Sequence, residues 1–151
     1  MNAPRADPSG PQHTIERRIP TPAEHRAIAE AVGWGHVFSW ETLPQSLANS
    51  RLGAVAVCDG EAIGMGRVVG DGVSYWYIQD LAVLPAWQGA GIGKRLLQAI
   101  LEDIARAAPA PAFVGLFATP DGMALYERFG FTPGDMQGMF RIIQPARHLD
   151  P

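Results

Sequence analysis

The sequence predicts an α/β chain of mixed α+β character, with a central twisted mixed sheet and helices on both faces of a single domain. Three observations carry that prediction. Apolar runs over 53–58 and 62–69 flank Asp59-Gly60-Glu61, a hairpin signal. The run from Val73 to Leu84 meets a turn carrying Gly89, Gly91 and Gly93, and a helix begins at once. Beyond that turn Ile92, Leu96, Leu97, Ile100, Leu101 and Ile104 recur at helical spacing, and Pro109 and Pro111 close the helix before a further apolar run, Ala112 to Ala118. Strands first, then β-α-β-α-β, is the order of a mixed sheet covered on both sides.

Each element has its own signal. Residues 1–12, with Pro4, Pro8, Gly10 and Pro11, read as a disordered lead-in. Thr14 to Ile19 forms a first strand. Thr21-Pro22-Ala23-Glu24 is a capping-box start with proline at the first helical position, so a helix runs to about Val32. Trp34 to Trp40 is an aromatic loop, and Leu43 to Ser50 a short second helix. Gly70-Asp71-Gly72 turns the chain into the strand 73–84. A short helix over Ala124 to Phe129 ends at Gly130, a residue suited to a left-handed cap. Met136 to Ile143 supplies the last strand, and 145–151 reads as a flexible tail.

Composition narrows the function classes. The chain has 151 residues, long enough to bury a sizeable core, and 47% are hydrophobic. No apolar run approaches the roughly 20 residues of a membrane span, and the N-terminal stretch has no signal-peptide core. One cysteine excludes an internal disulfide and agrees with a reducing, cytoplasmic setting. A net charge of −3 argues against nucleic acid as partner and mildly favours a cationic substrate. His13, His25, His36 and His148 are scattered without ligand spacing, so no metal is expected. Cys58, at a strand end, reads as a small apolar packing residue.

The glycine turn is the chemical centre of the sequence. Glycines at a helix start leave backbone N–H groups and the positive end of the helix dipole facing one small space, which suits an anion; Lys94 adds a full charge. Two common phosphate motifs fail on these residues. A P-loop would need glycine at Gln88 and a hydroxyl at Arg95, and the dinucleotide pattern would need glycine at Lys94 or Leu96. What remains is Gln88-x-x-Gly91-x-Gly93 after a strand reading Leu81-Ala82-Val83. About thirty residues on comes Tyr126-x-x-x-Gly130-Phe131.

Together these resemble the acetyl-CoA motif and the later signature of the GCN5-related N-acetyltransferases (the GNAT superfamily), over roughly residues 14 to 143. The resemblance implies a domain at 13–144, a cofactor gap between two splayed central strands, and acetyl-CoA as cosubstrate with no metal. It implies cofactor contacts from Leu81, Ala82, Val83, Gln88, Gly89, Ala90, Gly91, Ile92, Gly93, Lys94 and Thr119. The sequence departs from the pattern in one place: many members carry asparagine before the later helix, where this chain has Ala118-Thr119-Pro120, so Thr119 offers one hydrogen bond in place of a two-sided amide.

Acetyl transfer to an amine needs a neutral amine, an oxyanion donor and a partner for the departing thiolate. An amine with pKa about 10.4 is neutral less than roughly one part in a thousand of the time at pH 7, so a base or water chain is valuable. Asp80 is the carboxylate on the strand where family members often place the base. Gln79 can orient water but not take a proton, and strand alternation puts the two on opposite faces unless a bulge intervenes. By resemblance, the Tyr126 hydroxyl faces the cofactor sulfur, and a backbone N–H of Leu81 or Ala82 meets the acyl oxygen. Trp34, Phe38, Tyr77, Gln79 and Met139 are candidates for the acceptor walls. Gly138-Met139-Phe140 also resembles plant-type arylalkylamine acetyltransferases, which suits an apolar or aromatic amine or a cation against π faces. The expected activity is transfer of acetyl to a small-molecule primary amine in a ternary complex. The alternatives are an aminosugar acetyltransferase, for which Gln79 replaces the expected acid, and a non-catalytic acyl-CoA sensor. A homodimer stays open.

Overall fold

The computed structural model describes residues 12–146. They fall into two compact units, divided between Leu116 and Phe117.

The first unit is a five-stranded sheet in the order β1-β2-β3-β4-β5: β1 (Thr14–Glu16), β2 (Leu52–Cys58), β3 (Glu61–Gly70), β4 (Tyr75–Val83) and β5 (Phe113–Gly115). The first four strands pair antiparallel, and β4 pairs parallel with β5. The expected hairpin is present: Cys58 faces Glu61 across Asp59 and Gly60, whose φ values of 49° and 78° are those of a tight two-residue turn matching the strand twist. Between β3 and β4 the Asp71 carboxylate closes the turn by accepting from the N–H groups of Val73, Ser74 and Tyr75 at 2.8–3.0 Å.

Helices cover both faces. α1 (Pro22–Ala31) starts with the expected capping box: Thr21 Oγ1 accepts from Glu24 N at 3.2 Å, and the Glu24 carboxylate accepts from Thr21 N at 2.9 Å. α2 (Leu43–Ala48) follows, with Leu43 and Leu47 buried. On one face Ile28 and Ala29 of α1 pack with Met65 and Ala82, and Val32, Trp34, Phe38, Trp40, Ala62 and Leu84 close around them. On the other face α3 (Ile92–Ala107) buries Ile92, Leu96, Leu97, Ala99, Ile100 and Ile104, while Leu101 is only half-buried. Each fully buried isoleucine or leucine contributes about 1.5–3 kcal/mol. α3 sits close because β3 presents Gly64 and Gly66 to it. A Cβ at Gly64 would stand 3.0 Å from Leu96, and one at Gly66 2.8 Å from Ile100.

The second unit holds a short turn of helix at Pro120–Gly122 and then α4 (Met123–Arg128). Gly130 takes φ +84°; its N–H bonds Glu127 O at 3.0 Å, and Phe131 N–H bonds Tyr126 O at 3.2 Å. That pair of bonds is a Schellman cap, as the Gly-Phe ending predicts.

Three expected strands are corrected. β1 stops at Glu16 instead of reaching Ile19, and β5 covers only Phe113–Gly115 of the expected 112–118. The expected last strand, 136–143, does not form: Met136, Met139, Phe140, Ile142 and Ile143 are all exposed, and no strand pairing includes them. A strand is defined by a ladder partner, and apolar character in the sequence does not supply one. Residues 1–11 and 147–151, most of the expected lead-in and tail, lie outside the described residues.

Candidate active site

β4 is not a regular strand. Met65 faces Ala82 and Arg67 faces Gln79, so Asp80 and Leu81 together stand opposite Gly66. Asp80 takes φ +57°, a left-handed conformation unusual for a residue with a side chain. The result is a β-bulge, which carries the extra residue out of the ladder. It also overturns the simple alternation. Directly paired residues share a face, so Gln79 lies on the face of Arg67 and Met65, the α1 side. Ala82 packs on that side too. Gln79 and Asp80 are thus brought to one side of the sheet.

Asp80 is held there through one carboxylate oxygen. Its Oδ2 accepts from His25 Nε2 at 2.9 Å and from Arg67 Nε at 2.8 Å. Arg67 then donates through Nη1 to Ser46 O and Oγ at 3.2 Å and to Ser50 Oγ at 3.3 Å, at the end of α2. The His25, Asp80 and Arg67 side chains are 0%, 9% and 10% exposed. Burial pushes the Asp80 carboxyl up, but the bonds from His25 and Arg67 and the Arg67 charge outweigh it, and the carboxyl lies below its ordinary value. An ionised carboxylate only accepts, which assigns the hydrogen to His25 Nε2; Nδ1 is then buried without a partner. The His25 ring meets Phe38 edge-on at 4.7 Å and Trp40 at 6.4 Å, and Arg26 stacks on Trp40 at 4.9 Å.

Neither His25 nor Arg67 was singled out from the sequence. Signals for both existed: His25, Ile28 and Ala29 share one face of α1 at helical spacing, and Arg67 is the lone charge in the apolar run 62–69. A cation inside such a strand calls for a buried anion.

Beyond β4, Pro85–Trp87 forms a short helical turn, and Gln88 Nε2 donates to Val83 O at 3.0 Å, so the motif glutamine folds the turn back onto the strand. Gly89 and Gly91 take φ +82° and +80°, and a Cβ at either would meet nothing within 4 Å. These glycines are required by conformation, and the space beside them is open. Gly91 caps α3 with no side-chain bond. Among the described residues, no acceptor meets the N–H groups of Gly89, Ala90, Gly91, Ile92, Gly93 or Lys94. Lys94 is exposed beside them.

The other candidates divide between the units. Leu81 packs over Gly66 on the α3 side, and Val83 is half-buried at the strand end. Trp34 and Phe38 are packed against the α1 core, and burial raises the Tyr77 phenol. Thr119, Tyr126 and Met139 belong to the second unit. Thr119 opens the turn into α4 with its carbonyl bonded by Gly122 N–H at 3.0 Å. Tyr126 rests its ring on Phe131 at 6.0 Å, the apolar contact that accompanies a Schellman cap, and burial raises its phenol. Met139 is 89% exposed.

Comparison with known proteins fits this geometry. A family model described as an acetyltransferase (GNAT) domain matches residues 49–133, and the chain belongs to that family. An uncharacterized N-acetyltransferase, ycf52, of Pyropia yezoensis is 30% identical over 95 residues, 62% of this chain and 48% of that protein. The chloroplastic GCN5-related N-acetyltransferase 1 of Arabidopsis thaliana is 29% identical over 82 residues, covering 53% and 41%. The chain thus spans about half the length of the curated relatives it matches. Among solved structures, a probable acetyltransferase of meticillin-resistant Staphylococcus aureus superposes with TM-score 0.78 at 28% identity, over 89% of this chain and all of that one. A GNAT family protein of Streptococcus pneumoniae gives 0.75 at 28%, with the same coverage.

Proposed function

We propose that this chain is an N-acetyltransferase that moves the acetyl group of acetyl-CoA to the primary amine of a small apolar or aromatic molecule by direct attack. The observation that carries the reading is the strand-turn-helix segment from Asp80 to Lys94. It joins a bulged strand to a helix start whose leading N–H groups meet no acceptor among the described residues. Such donors suit a pyrophosphate, since charge-assisted bonds are worth roughly 1.5–3 kcal/mol each. The open space beside Gly89 and Gly91 leaves room for one.

In this reading acetyl-CoA supplies an activated acyl group, and the residues divide the remaining work. The N–H groups from Gly89 to Lys94 hold the diphosphate, with Lys94 adding charge. A backbone N–H of Leu81 or Ala82 donates to the acyl oxygen as negative charge grows on it. The Tyr126 hydroxyl, by resemblance to the family, donates a hydrogen bond to the sulfur. Its phenol is raised by burial, so a hydrogen bond to the thiolate suits it better than full proton transfer. Asp80 already accepts two bonds and lies below its ordinary pKa, which makes it a poor proton acceptor. Gln79, on the same face, is suited to hold the water that carries the proton of the amine away. The Asp80 charge is matched by Arg67, so the aromatic side chains Trp34, Phe38 and Tyr77 set the acceptor preference, towards apolar or aromatic amines.

The test is thiol release from acetyl-CoA over a panel of alkylamines, arylalkylamines, polyamines, aminosugars and peptides. Turnover is expected with the first two groups. Turnover with aminosugars alone would replace the acceptor class, and tight acetyl-CoA binding without any turnover would make the chain a sensor. With a working acceptor, Tyr126→Phe should lower kcat about 10–100-fold with little change in KM for acetyl-CoA. An unchanged kcat would leave Tyr126 a capping and packing residue.

A further inference from the structure

The buried trio His25, Asp80 and Arg67 is expensive for what it returns in stability. Ion pairs withdrawn from water roughly break even against apolar side chains of similar size, so their presence here asks for another reason. Their placement offers one. Asp80 sits at the bulge in a left-handed conformation that is unfavourable for a residue with a side chain. The same carboxylate oxygen that closes the bulge is bonded from α1 through His25 and from β3 through Arg67. Arg67 passes the connection on to α2 through Ser46 and to Ser50 beyond it. Three elements, α1, β3 and, through Arg67, α2, therefore converge on one strained residue, next to the backbone that the acetyltransferase reading assigns to the acyl oxygen.

We infer that Arg67 and Asp80 are positioning residues for acyl transfer, clamping the β4 bulge between α1 and α2 so that the N–H groups of Leu81 and Ala82 keep one direction. The inference rests on the acetyltransferase reading and goes beyond it by giving Asp80 a task other than proton transfer. The Arg67 guanidinium binds its partners as a fork, Nε to the carboxylate and Nη1 to the end of α2, which a lysine ammonium cannot copy. The clamp also links the aromatic wall, through His25 against Phe38, to the acyl end of the site.

The test compares Arg67→Lys and Asp80→Asn with wild type, using an amine that wild type acetylates. Both substitutions keep the approximate size, and asparagine tolerates a left-handed backbone. Each should lower kcat by about 10-fold or more, as expected for displaced oxyanion donors, with KM for acetyl-CoA nearly unchanged. The deficit should be the same at every pH from about 6 to 9, because no titrating base has been removed. The double variant should be no slower than the slower single one, since both act through one clamp. Amide hydrogen exchange at Leu81 and Ala82 should rise selectively over the rest of β4. A rate deficit in Asp80→Asn that fades as pH rises would assign Asp80 as the base and overturn the inference. Wild-type kcat in Arg67→Lys would overturn it as well. If wild type acetylates no amine at all, the acetyltransferase reading falls instead, a result that the variants do not share in producing.

Discussion

The two ends of the active segment solve opposite problems. At the Asp80 bulge the carboxylate, His25 and Arg67 bond one another inside the chain, and the corner is buried. Further along, from Gly89 into the start of α3, a row of N–H groups finds no acceptor among the described residues, and the turn is exposed. The first region is held together by bonds within the chain. The second is incomplete by design of its glycines, and a bound anion would finish it. A substitution should therefore register as lost stability at the first region and as lost affinity at the second.

The largest effect should come from breaking the first region. Arg67→Met leaves the Asp80 carboxylate buried with one donor fewer, and loss of one partner of a buried pair costs about 3–5 kcal/mol. Urea unfolding should show that drop, and Arg67→Met/Asp80→Asn should recover part of it, because no unpaired charge then remains inside. Full additivity of the two substitutions would mean that the corner is not coupled.

Next comes the second region. Ala90→Asp places a carboxylate among these N–H groups, where it satisfies the donors assigned to acetyl-CoA in the proposed reading. Calorimetry should show acetyl-CoA affinity falling at least about 10-fold, or 1.4 kcal/mol. The thermal midpoint should hold or rise, since an acid is favourable at a helix start. This variant is a cleaner probe than Gly91→Val, because a valine at φ +80° would strain the backbone itself.

Acid separates the Asp80 corner from a half-buried ion pair elsewhere, Arg18 with Glu24. Hydrogen bonds from Arg18, only partly opposed by burial, hold Glu24 down to about 2 from its ordinary 4.5. A folded pKa below the unfolded one gives stability that is complete above about pH 4.5 and is lost as pH falls through about 2. Thermal midpoints of Glu24→Gln between pH 5 and 2 should therefore fall less steeply than those of wild type, while Asp80 keeps its share of the acid slope in both. The smallest effect is expected at Lys94, a screened surface charge. Lys94→Ala should weaken acetyl-CoA binding only a few-fold at low salt, and the difference should close by about 0.5 M salt.

Much of this contrast was legible in the residues. The capping box at Thr21 and Glu24, the hairpin at Asp59-Gly60 and the cap at Gly130 are local features, each settled within a few residues, and all three form as read. The glycine turn was legible for the same reason, although its glycines answer to φ more than to the room they make. The expected strand at 136–143 is a different case, because pairing depends on an edge elsewhere in the chain and the apolar pattern says nothing about whether that edge is offered. Alternation likewise placed Gln79 and Asp80 on opposite faces, and only the register against Gly66 revealed the extra residue.

The sequence by itself determined the fold class, the family motifs, the helix start that suits a phosphate, and the candidate set around it. These are written in short-range periodicity, turn chemistry and spacing. Tertiary structure alone decided what Asp80 is bonded to, because His25 lies 55 positions before it and Arg67 13 positions before it. Neither distance follows a helical or strand repeat, so the three residues meet only when α1 folds across β3 and β4. The charge state and direction of the Asp80 carboxylate were set by that meeting, since a buried group takes its properties from whatever replaces water around it.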